Sequence, residues 1–175
     1  NQEISMAILT ADHLIGEPAR FRACVKGALV ACEKDDALVT IGIRPTRPET
    51  GYGYIETGRR SRDRKGAVPV VRFREKPNLQ QAEDFVASGR YCWNSGMFFW
   101  RVSTFLAQME KASPDIAMLT HRMAEAVHGN QRRNADRFFE KLPDISIDYA
   151  LLEKSPKVLM VEATFPWDDV GAWDA

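Results

Sequence analysis

Apolar residues along the chain alternate between strand-sized runs and runs with helical spacing. The segments Ile4–Leu9 and Ala37–Ile43 are short and largely apolar, which is typical of buried strands. Between them, Ala19–Glu33 carries apolar residues at helical spacing, with basic residues elsewhere on the cylinder. Strand, helix and strand in this order predict a βαβ unit, and a strand buried on both faces favours a parallel sheet covered by helices.

The rest of the pattern adds a hairpin-like strand pair, more amphipathic helices and a last strand. The pair is Tyr52–Glu56 and Val68–Phe73, and Tyr91–Gly96 is predicted to be a polar and aromatic turn before a short strand, Met97–Trp100. We find no repeat or linker, so residues 1–175 are predicted to form a single domain of α/β class. The other predicted elements are helices at Asn78–Ser88, Ser103–Ala112, Asp115–His128, Ala135–Leu142 and Ser146–Lys154, and a strand at Lys157–Ala163.

Composition narrows the class of protein. The 175 residues are 45% hydrophobic and 27% charged, which is typical of a globular protein. Lysine plus arginine and aspartate plus glutamate both number 24, so the charge balance favours neither nucleic acid nor a membrane surface as a partner. The apolar runs are too short to span a bilayer. Three cysteines without CxxC spacing favour a cytoplasmic location, and Cys24 and Cys32 are interpreted as small buried hydrophobes.

Five short polar segments remain once helices and strands are assigned. Each lies at the end of a predicted strand or in a tight turn, and ligand sites of open α/β sheets gather outside the carboxyl ends of strands. Together they contain the groups that a phosphoryl or nucleotidyl transfer site requires. The segments are Asp12-His13, Thr50–Tyr54, Glu75-Lys76-Pro77, Asn94-Ser95-Gly96 and Trp167–Gly171.

Acidic residues in the first and last of these segments could hold a metal ion. Mg²⁺ prefers oxygen ligands and usually takes one or two carboxylates, which leaves room for substrate phosphates. Asp12 with either Asp168 or Asp169 would supply that pair. Lys76 is suited to act as a point charge on a phosphate.

The other segments offer groups for a sugar phosphate. Gly51 and Gly53 carry no side chain, so a sugar ring or a phosphate could approach their backbone N–H groups. Glu75 and Asn94 are suited to sugar hydroxyls, because polar groups that the wrong sugar leaves unpaired enforce selectivity.

The ordered motifs resemble bacterial mannose-1-phosphate guanylyltransferases, also called GDP-mannose pyrophosphorylases. Glu-Lys-Pro alone is shared with other sugar nucleotidyltransferases, whereas the Thr-Gly-Tyr-Gly-Tyr-Ile and Asp-Val-Gly-x-Trp motifs point to mannose. The resemblance runs from Ile4 to Trp173. Its motifs are Pro48–Glu56, Phe73–Pro77, Trp93–Phe98, Ser146–Tyr149 and Trp167–Trp173.

The resemblance implies a Rossmann-like nucleotide-sugar transferase fold with a mixed, mostly parallel sheet flanked by helices. It also implies the conversion of GTP and α-D-mannose 1-phosphate into GDP-mannose and pyrophosphate. By the same resemblance, Asp12 and Asp169 hold the catalytic Mg²⁺ and Lys76 holds the sugar phosphate. The sugar-binding residues it implies are Gly51, Tyr52, Gly53, Glu75 and Asn94.

One part of the family pattern is missing from the sequence. The N-terminal glycine-rich loop, which with its arginine cradles the nucleotide phosphates in the family, does not occur here. We therefore expect these residues to be the C-terminal portion of a catalytic domain whose first strands are missing, and to be inactive alone. Thr10, where the family usually has proline, and Ala172, where it has serine, are smaller departures.

Two other functions stay open at this stage, together with several single residues. The chain could belong to a transferase for another sugar 1-phosphate or nucleotide, or to a catalytically silent paralogue that binds nucleotide sugar and regulates a partner; a homodimer is possible. His13 is interpreted as a supporting group rather than a catalytic base. The basic run Arg59–Lys65 is interpreted as a solvated hairpin tip, and the four tryptophans as packing residues around the site.

Overall fold

The computed structural model describes residues 4–58 and 66–170. The predicted basic hairpin tip and the Gly171–Trp173 end of the last motif lie outside these ranges. The described chain divides into two compact units, one within Asn1–Val102 and Lys157–Ala175 and the other Ser103–Pro156. The single domain expected from the sequence stays a prediction.

The first unit is built on a six-stranded mixed sheet. Its strand order is β1-β6-β3-β7-β5-β4, and β6 also pairs with β4, so the pairings of five strands close on themselves. A separate two-stranded ladder joins β2 to β8. The strands are β1 (Ser5–Ile8), β2 (Leu14–Ile15), β3 (Leu38–Ile43), β4 (Tyr54–Thr57), β5 (Val68–Arg74), β6 (Tyr91–Arg101), β7 (Val158–Glu162) and β8 (Trp167–Asp168).

The strand directions correct one prediction. The α/β class and the mixed sheet are confirmed, but a mostly parallel sheet is wrong, because only β3 and β7 run parallel among the described pairings of the large sheet. Strand β3 is buried along its whole length, as its apolar run predicts. Burial on both faces is a property of a central strand of either direction, so the apolar run did not determine the direction.

Strand β1 also differs from its prediction as a buried strand. It lies at the end of the strand order, where its described partner is β6, and its residues are partly buried or exposed. Ile8 is 43% exposed and Leu9 is 45% exposed. The apolar run therefore predicted the strand but not its position at the edge of the sheet.

The Asn94-Ser95-Gly96 turn is the third correction. Strand β6 is continuous over 11 residues and includes this segment. Ser95 is buried, and its hydroxyl donates to the Ile41 carbonyl at 2.7 Å, so the sheet satisfies the polar side chain that suggested a turn. Gly96 has φ +68, which glycine tolerates without the cost that a side chain would bring.

Two helices of the first unit match their predictions closely. Helix α1 (Pro18–Asp35) packs Cys24, Ala28 and Cys32 into the main core. Both thiols are buried, which confirms the prediction that they are small buried hydrophobes. Burial also raises the pKa of the Cys24 thiol to about 11. Helix α2 (Leu79–Ser88) begins at a capping box formed by Asn78 and ends at Gly89, whose φ is 63.

The second unit is helical. It contains α3 (Val102–Ala112), α4 (Pro114–His128), α5 (Arg132–Phe139), α6 (Ile147–Ala150) and a 3₁₀ turn at Leu152–Lys154. The predicted helix Ser146–Lys154 is thus interrupted at Leu151, whose φ of −130 leaves the helical region. No helix in the described ranges is both long enough and apolar enough to cross a membrane.

Gly42 on β3 tests how tightly the strands around Asn94 are packed. A Cβ at Gly42 would collide with the Met160 sulfur and would lie 2.9 Å from the Cys92 Cβ. We expect Gly42→Ala in the complete protein to lower the free energy of unfolding by about 1–3 kcal/mol, because overpacking forces neighbouring side chains apart.

The matched control is Gly27→Ala on an exposed part of α1, where nothing lies within 4 Å of the added Cβ. This change is expected to be neutral or to stabilise by up to about 1 kcal/mol, because alanine favours the helix. Urea unfolding measures both values. Equal effects of the two changes would contradict the packing described for β3.

Candidate active site

Three of the predicted sugar-binding residues lie together at the start of β4. The Gly53 carbonyl accepts a hydrogen bond from the Asn94 backbone N–H at 2.8 Å. A Cβ on Gly53 would lie 2.6 Å from Glu75 Oε2 and 3.7 Å from the Asn94 Cβ. The missing side chain therefore lets the Glu75 carboxylate rest against the backbone of this turn.

The Asn94 side chain has a fixed orientation. Its Oδ1 accepts from the Gly96 N–H at 3.3 Å. It also lies 3.3 Å from the Thr40 hydroxyl, whose single proton is shared between this oxygen and the Met97 carbonyl at 3.1 Å. Gly42 is its cross-strand partner on β3. The first half of β6, which was predicted to be a turn, thus holds this amide. Thr40 supports it, although its position within an apolar run gave no sign of this contact.

The Glu49 carboxylate organises the turn before Gly53. Its Oε1 accepts from the Gly51 N–H at 3.1 Å, and its Oε2 lies 3.2 Å from Arg47 Nε. The Gly51 N–H is the main cause that lowers the pKa of the Glu49 carboxyl, so this group stays ionised. The Arg47 guanidinium lies 5.5 Å from the centre of the Trp93 ring. The sequence patterns assigned no role to Arg47 or Glu49. An acidic residue two positions before a glycine in a turn could have indicated that its carboxylate accepts from the glycine N–H.

Tyr52 connects this turn to the C-terminal segment. Its hydroxyl donates to Asp169 Oδ1 at 2.5 Å. Burial, followed by the Asp169 carboxylate, raises the pKa of the phenol well above its ordinary value, so Tyr52 stays protonated and remains a donor. The ring packs edge-on against Trp93 at 5.2 Å and Trp167 at 5.7 Å between centroids. The packing role predicted for these two tryptophans is confirmed.

The β2–β8 ladder brings the two ends of the site together. Its register pairs Leu14 with Asp168 and Ile15 with Trp167. Asp12 lies two residues before this ladder and Asp169 lies one residue after it, so the antiparallel register places both at the same end. The Asp12 side chain is 87% exposed, and its Oδ1 lies 4.0 Å from His13 Nε2.

Asp168 and Asp169 have different surroundings. Asp168 Oδ1 accepts from the Val170 N–H at 2.8 Å and so closes its own turn. Val170 has φ 53, an unfavourable region for a β-branched residue, which this hydrogen bond helps to hold. Asp169 instead faces the Tyr52 hydroxyl.

The acidic residues suit a metal ion that completes its shell with substrate oxygens. Within residues 4–58 and 66–170, no group of three or more histidine, cysteine, aspartate or glutamate side chains could enclose a metal. Two carboxylates at one end of the ladder are the donor set that Mg²⁺ takes when phosphates and water supply the rest. The residues therefore fit such an ion.

Among the predicted site residues, Lys76 shows the fewest contacts with the others. It is exposed and directly follows Glu75, and we find no ion pair to it among the described residues. Its φ of 40 is unusual for a residue with a side chain, and such strain is concentrated at functional positions.

Comparison with known proteins places the chain in a family. The model of the nucleotidyl transferase family matches residues 1–175. The chain belongs to the nucleotidyl transferase family. Proteins of this family generally use a divalent metal ion.

Individual relatives of this chain support the predicted resemblance. It is 42% identical over 176 residues to the xanthan biosynthesis protein XanB of Xanthomonas campestris pv. campestris (strain B100), covering 97% of this chain and 36% of that protein. It is 41% identical over 174 residues to a mannose-1-phosphate guanylyltransferase of Escherichia coli (strain K12), again covering 97% and 36%. The chain thus spans little more than a third of the length of these relatives.

A solved structure supports the fold of this chain. The structure described as mannose-1-phosphate geranyltransferase from Thermus thermophilus matches it with a TM-score of 0.80 and 34% identity. The match covers 97% of this chain and 47% of that one. The predicted nucleotidyltransferase fold is confirmed.

The hydrogen bond between Tyr52 and Asp169 can be tested by a double-mutant cycle. Tyr52→Phe, Asp169→Ala and the double variant of the complete protein should show a coupling free energy of about 1.5–3 kcal/mol, because the acceptor is charged. Urea unfolding supplies the four values.

The control cycle combines Tyr52→Phe with Asp168→Ala, the neighbouring carboxylate. Its coupling should stay below about 0.5 kcal/mol, since Asp168 bonds to its own turn instead. Similar coupling free energies in both cycles would show that Tyr52 interacts with the charge of this segment in general and has no specific hydrogen bond to Asp169.

Proposed function

We propose that this chain forms the sugar-phosphate and metal side of an enzyme that makes GDP-mannose and pyrophosphate from GTP and α-D-mannose 1-phosphate. One observation carries the proposal. The Gly51–Gly53 turn contacts the two predicted sugar-binding side chains, Glu75 and Asn94, and it also contacts Asp169. Gly53 lies against Glu75 and Asn94, and Tyr52 reaches Asp169. In a substrate bound at this turn, the sugar hydroxyls would contact Glu75 and Asn94, and the phosphate would lie toward a metal ion held by Asp169.

The names of similar proteins support the proposed substrates. The Escherichia coli relative is named a mannose-1-phosphate guanylyltransferase. The name of the Xanthomonas relative links it to xanthan biosynthesis. Because the chain covers about 36% of each, the proposed activity is that of the complete protein. The proposal includes a role in polysaccharide precursor synthesis, which the name of the Xanthomonas relative supports. It also includes a cytoplasmic location, which is the location predicted from the sequence.

On the sugar side, Glu75 and Asn94 would hydrogen-bond the sugar hydroxyls. The Asn94 amide is fixed by Thr40 and Gly96 and therefore needs little ordering when the sugar binds. A sugar lacking a matching hydroxyl would leave these groups unpaired, which is the strongest form of rejection that a polar site offers. The bare backbone at Gly51 and Gly53 would allow close approach of the ring.

On the phosphate side, Lys76 would neutralise the sugar phosphate, and Asp12 and Asp169 would hold Mg²⁺. When bound, the ion would neutralise charge on the phosphates and align them. A sugar-phosphate oxygen then forms a bond to the α-phosphorus of GTP while the bond to pyrophosphate breaks, without a covalent enzyme intermediate. Such a transfer depends mainly on alignment and charge, so Tyr52 contributes by fixing the Asp169 carboxylate.

Asp169 is a better candidate for the metal than Asp168. The Asp168 carboxylate accepts from the Val170 N–H in its own turn, whereas Asp169 is oriented by the Tyr52 hydroxyl of the Gly51–Gly53 turn.

The 175 residues contain no glycine-rich phosphate loop, so we expect them to be inactive alone. A homodimer remains a prediction.

The test compares Asp12→Asn and Asp169→Asn with Asp168→Asn in the complete protein. The first two should lower turnover of GTP and mannose 1-phosphate with Mg²⁺ by on the order of 10²-fold or more, because the metal loses a carboxylate. Asp168→Asn keeps an oxygen for the Val170 N–H and should lose less than about tenfold. Coupled detection of pyrophosphate measures all three.

Full turnover by Asp169→Asn would contradict the metal assignment. A panel of other sugar 1-phosphates and nucleoside triphosphates, run on the unmodified protein, tests the substrate. Faster turnover of another pair would favour a different sugar nucleotidyltransferase. Binding of GDP-mannose without turnover of any pair would favour a silent regulatory paralogue.

A further inference from the structure

His13 lies in a small polar cluster beside Asp12. Its Nδ1 is 3.0 Å from the Trp167 Nε1 and 2.6 Å from the Thr10 hydroxyl oxygen. The imidazole meets the indole edge-on at 5.1 Å between ring centroids. The side chain is only 12% exposed, so the cluster holds the ring in place.

The cluster determines which ring nitrogen carries the proton. An indole N–H can only donate a hydrogen bond, so the nitrogen that it faces must accept. Nδ1 therefore carries no proton. The Thr10 hydroxyl then faces this nitrogen as a second donor that shares its single lone pair. The proton of the neutral imidazole is then on Nε2.

The protonated nitrogen faces the acidic side of the site. Nε2 lies 4.0 Å from Asp12 Oδ1, which is beyond hydrogen-bond distance but within one small side-chain rotation of it. Asp12 is 87% exposed and lacks the packing that fixes His13. The largely buried His13 imidazole thus offers an N–H donor to the exposed Asp12 carboxylate.

We propose that His13 is a positioning residue for Asp12: Trp167 and Thr10 lock its Nε2–H tautomer, and this N–H restrains the Asp12 carboxylate. The proposal rests on the proposed function only in taking Asp12 as a metal ligand. It excludes His13 as a general base, because Nε2 already holds a proton and Nδ1 is covered by two donors. It also gives Trp167 a polar role in addition to packing against Tyr52.

The tautomer can be observed directly in the unmodified protein. Long-range ¹H–¹⁵N correlation spectra of the complete protein distinguish a protonated Nε2 from a protonated Nδ1, and loss of the signal in His13→Gln assigns it. We expect the Nε2–H form. In Trp167→Phe and in Thr10→Val, each of which removes one donor to Nδ1, the His13 signals should move toward a mixture of the two tautomers. An Nδ1–H form in the unmodified protein would overturn the proposal.

The positioning role has a separate readout in Mn²⁺ binding, measured by titration of free Mn²⁺ in the presence of mannose 1-phosphate. Glutamine places an amide nitrogen near the position of Nε2, whereas asparagine places one near Nδ1. His13→Gln should therefore keep Mn²⁺ affinity within a few fold, and His13→Asn should lose about tenfold or more, as is typical for groups that orient metal ligands. Equal affinities of the two variants would overturn the positioning role.

The two proposals can fail independently. If the complete protein does not form GDP-mannose but Mn²⁺ affinity still depends on His13 as described, the proposed function fails and the inference stands. If GDP-mannose forms normally and His13→Asn binds Mn²⁺ like the unmodified protein, the inference fails and the proposed function stands.

Discussion

The hydrogen bond from the Tyr52 hydroxyl to the Asp169 carboxylate joins two parts of the site that are 117 positions apart in sequence. Tyr52 belongs to a turn shaped by Glu49 and by the bare backbone at Gly53. Asp169 belongs to a C-terminal segment held by the β2–β8 ladder. Because burial and the carboxylate both keep the phenol protonated, the donor is permanent rather than dependent on conditions near neutral pH.

The same ladder explains how residues from opposite ends of the chain act together. Strand β2 follows Asp12 closely, and strand β8 precedes Asp169 directly. His13 and Trp167 add a hydrogen bond between the two segments. The backbone ladder, the partly buried hydrogen bond between His13 and Trp167, and the Tyr52 contact therefore connect the two segments that carry Asp12 and Asp169.

Sequence patterns predicted the elements that depend on local physics. Helix α2 follows from apolar spacing, the Asn78 cap and the left-handed Gly89, all of which lie within a few residues of each other. Sequence patterns gave wrong predictions where pairing between distant strands determines the structure of a segment. Asn94 and Ser95 suggested a turn because they are polar, but partners on β3 satisfy them inside a strand. The direction of β6 and the edge position of β1 depend on pairing that no local pattern contains.

The candidate site was predicted to a similar extent. Motifs identified Gly53, Glu75 and Asn94, which the fold does bring together, and Asp12 and Asp169, which the ladder places at one end. Thr40 was missed because its contact with Asn94 is 54 positions away in sequence. Glu49 was missed although its partners, the Gly51 N–H and Arg47, lie only two positions away. The residues alone left Asp168 and Asp169 as alternatives, and the family resemblance implied Asp169. The two carboxylates differ in their contacts, because Asp168 bonds to its own turn and Asp169 to Tyr52.

We propose that the Gly51–Gly53 turn binds the sugar and orients a carboxylate that holds the metal. Anomalous diffraction from crystals of the complete protein grown with Mn²⁺ and mannose 1-phosphate tests this arrangement. We expect a Mn²⁺ peak bound by both Asp12 and Asp169, with the sugar against Gly53, Glu75 and Asn94. A metal bound by other side chains, or a sugar bound away from this turn, would contradict it.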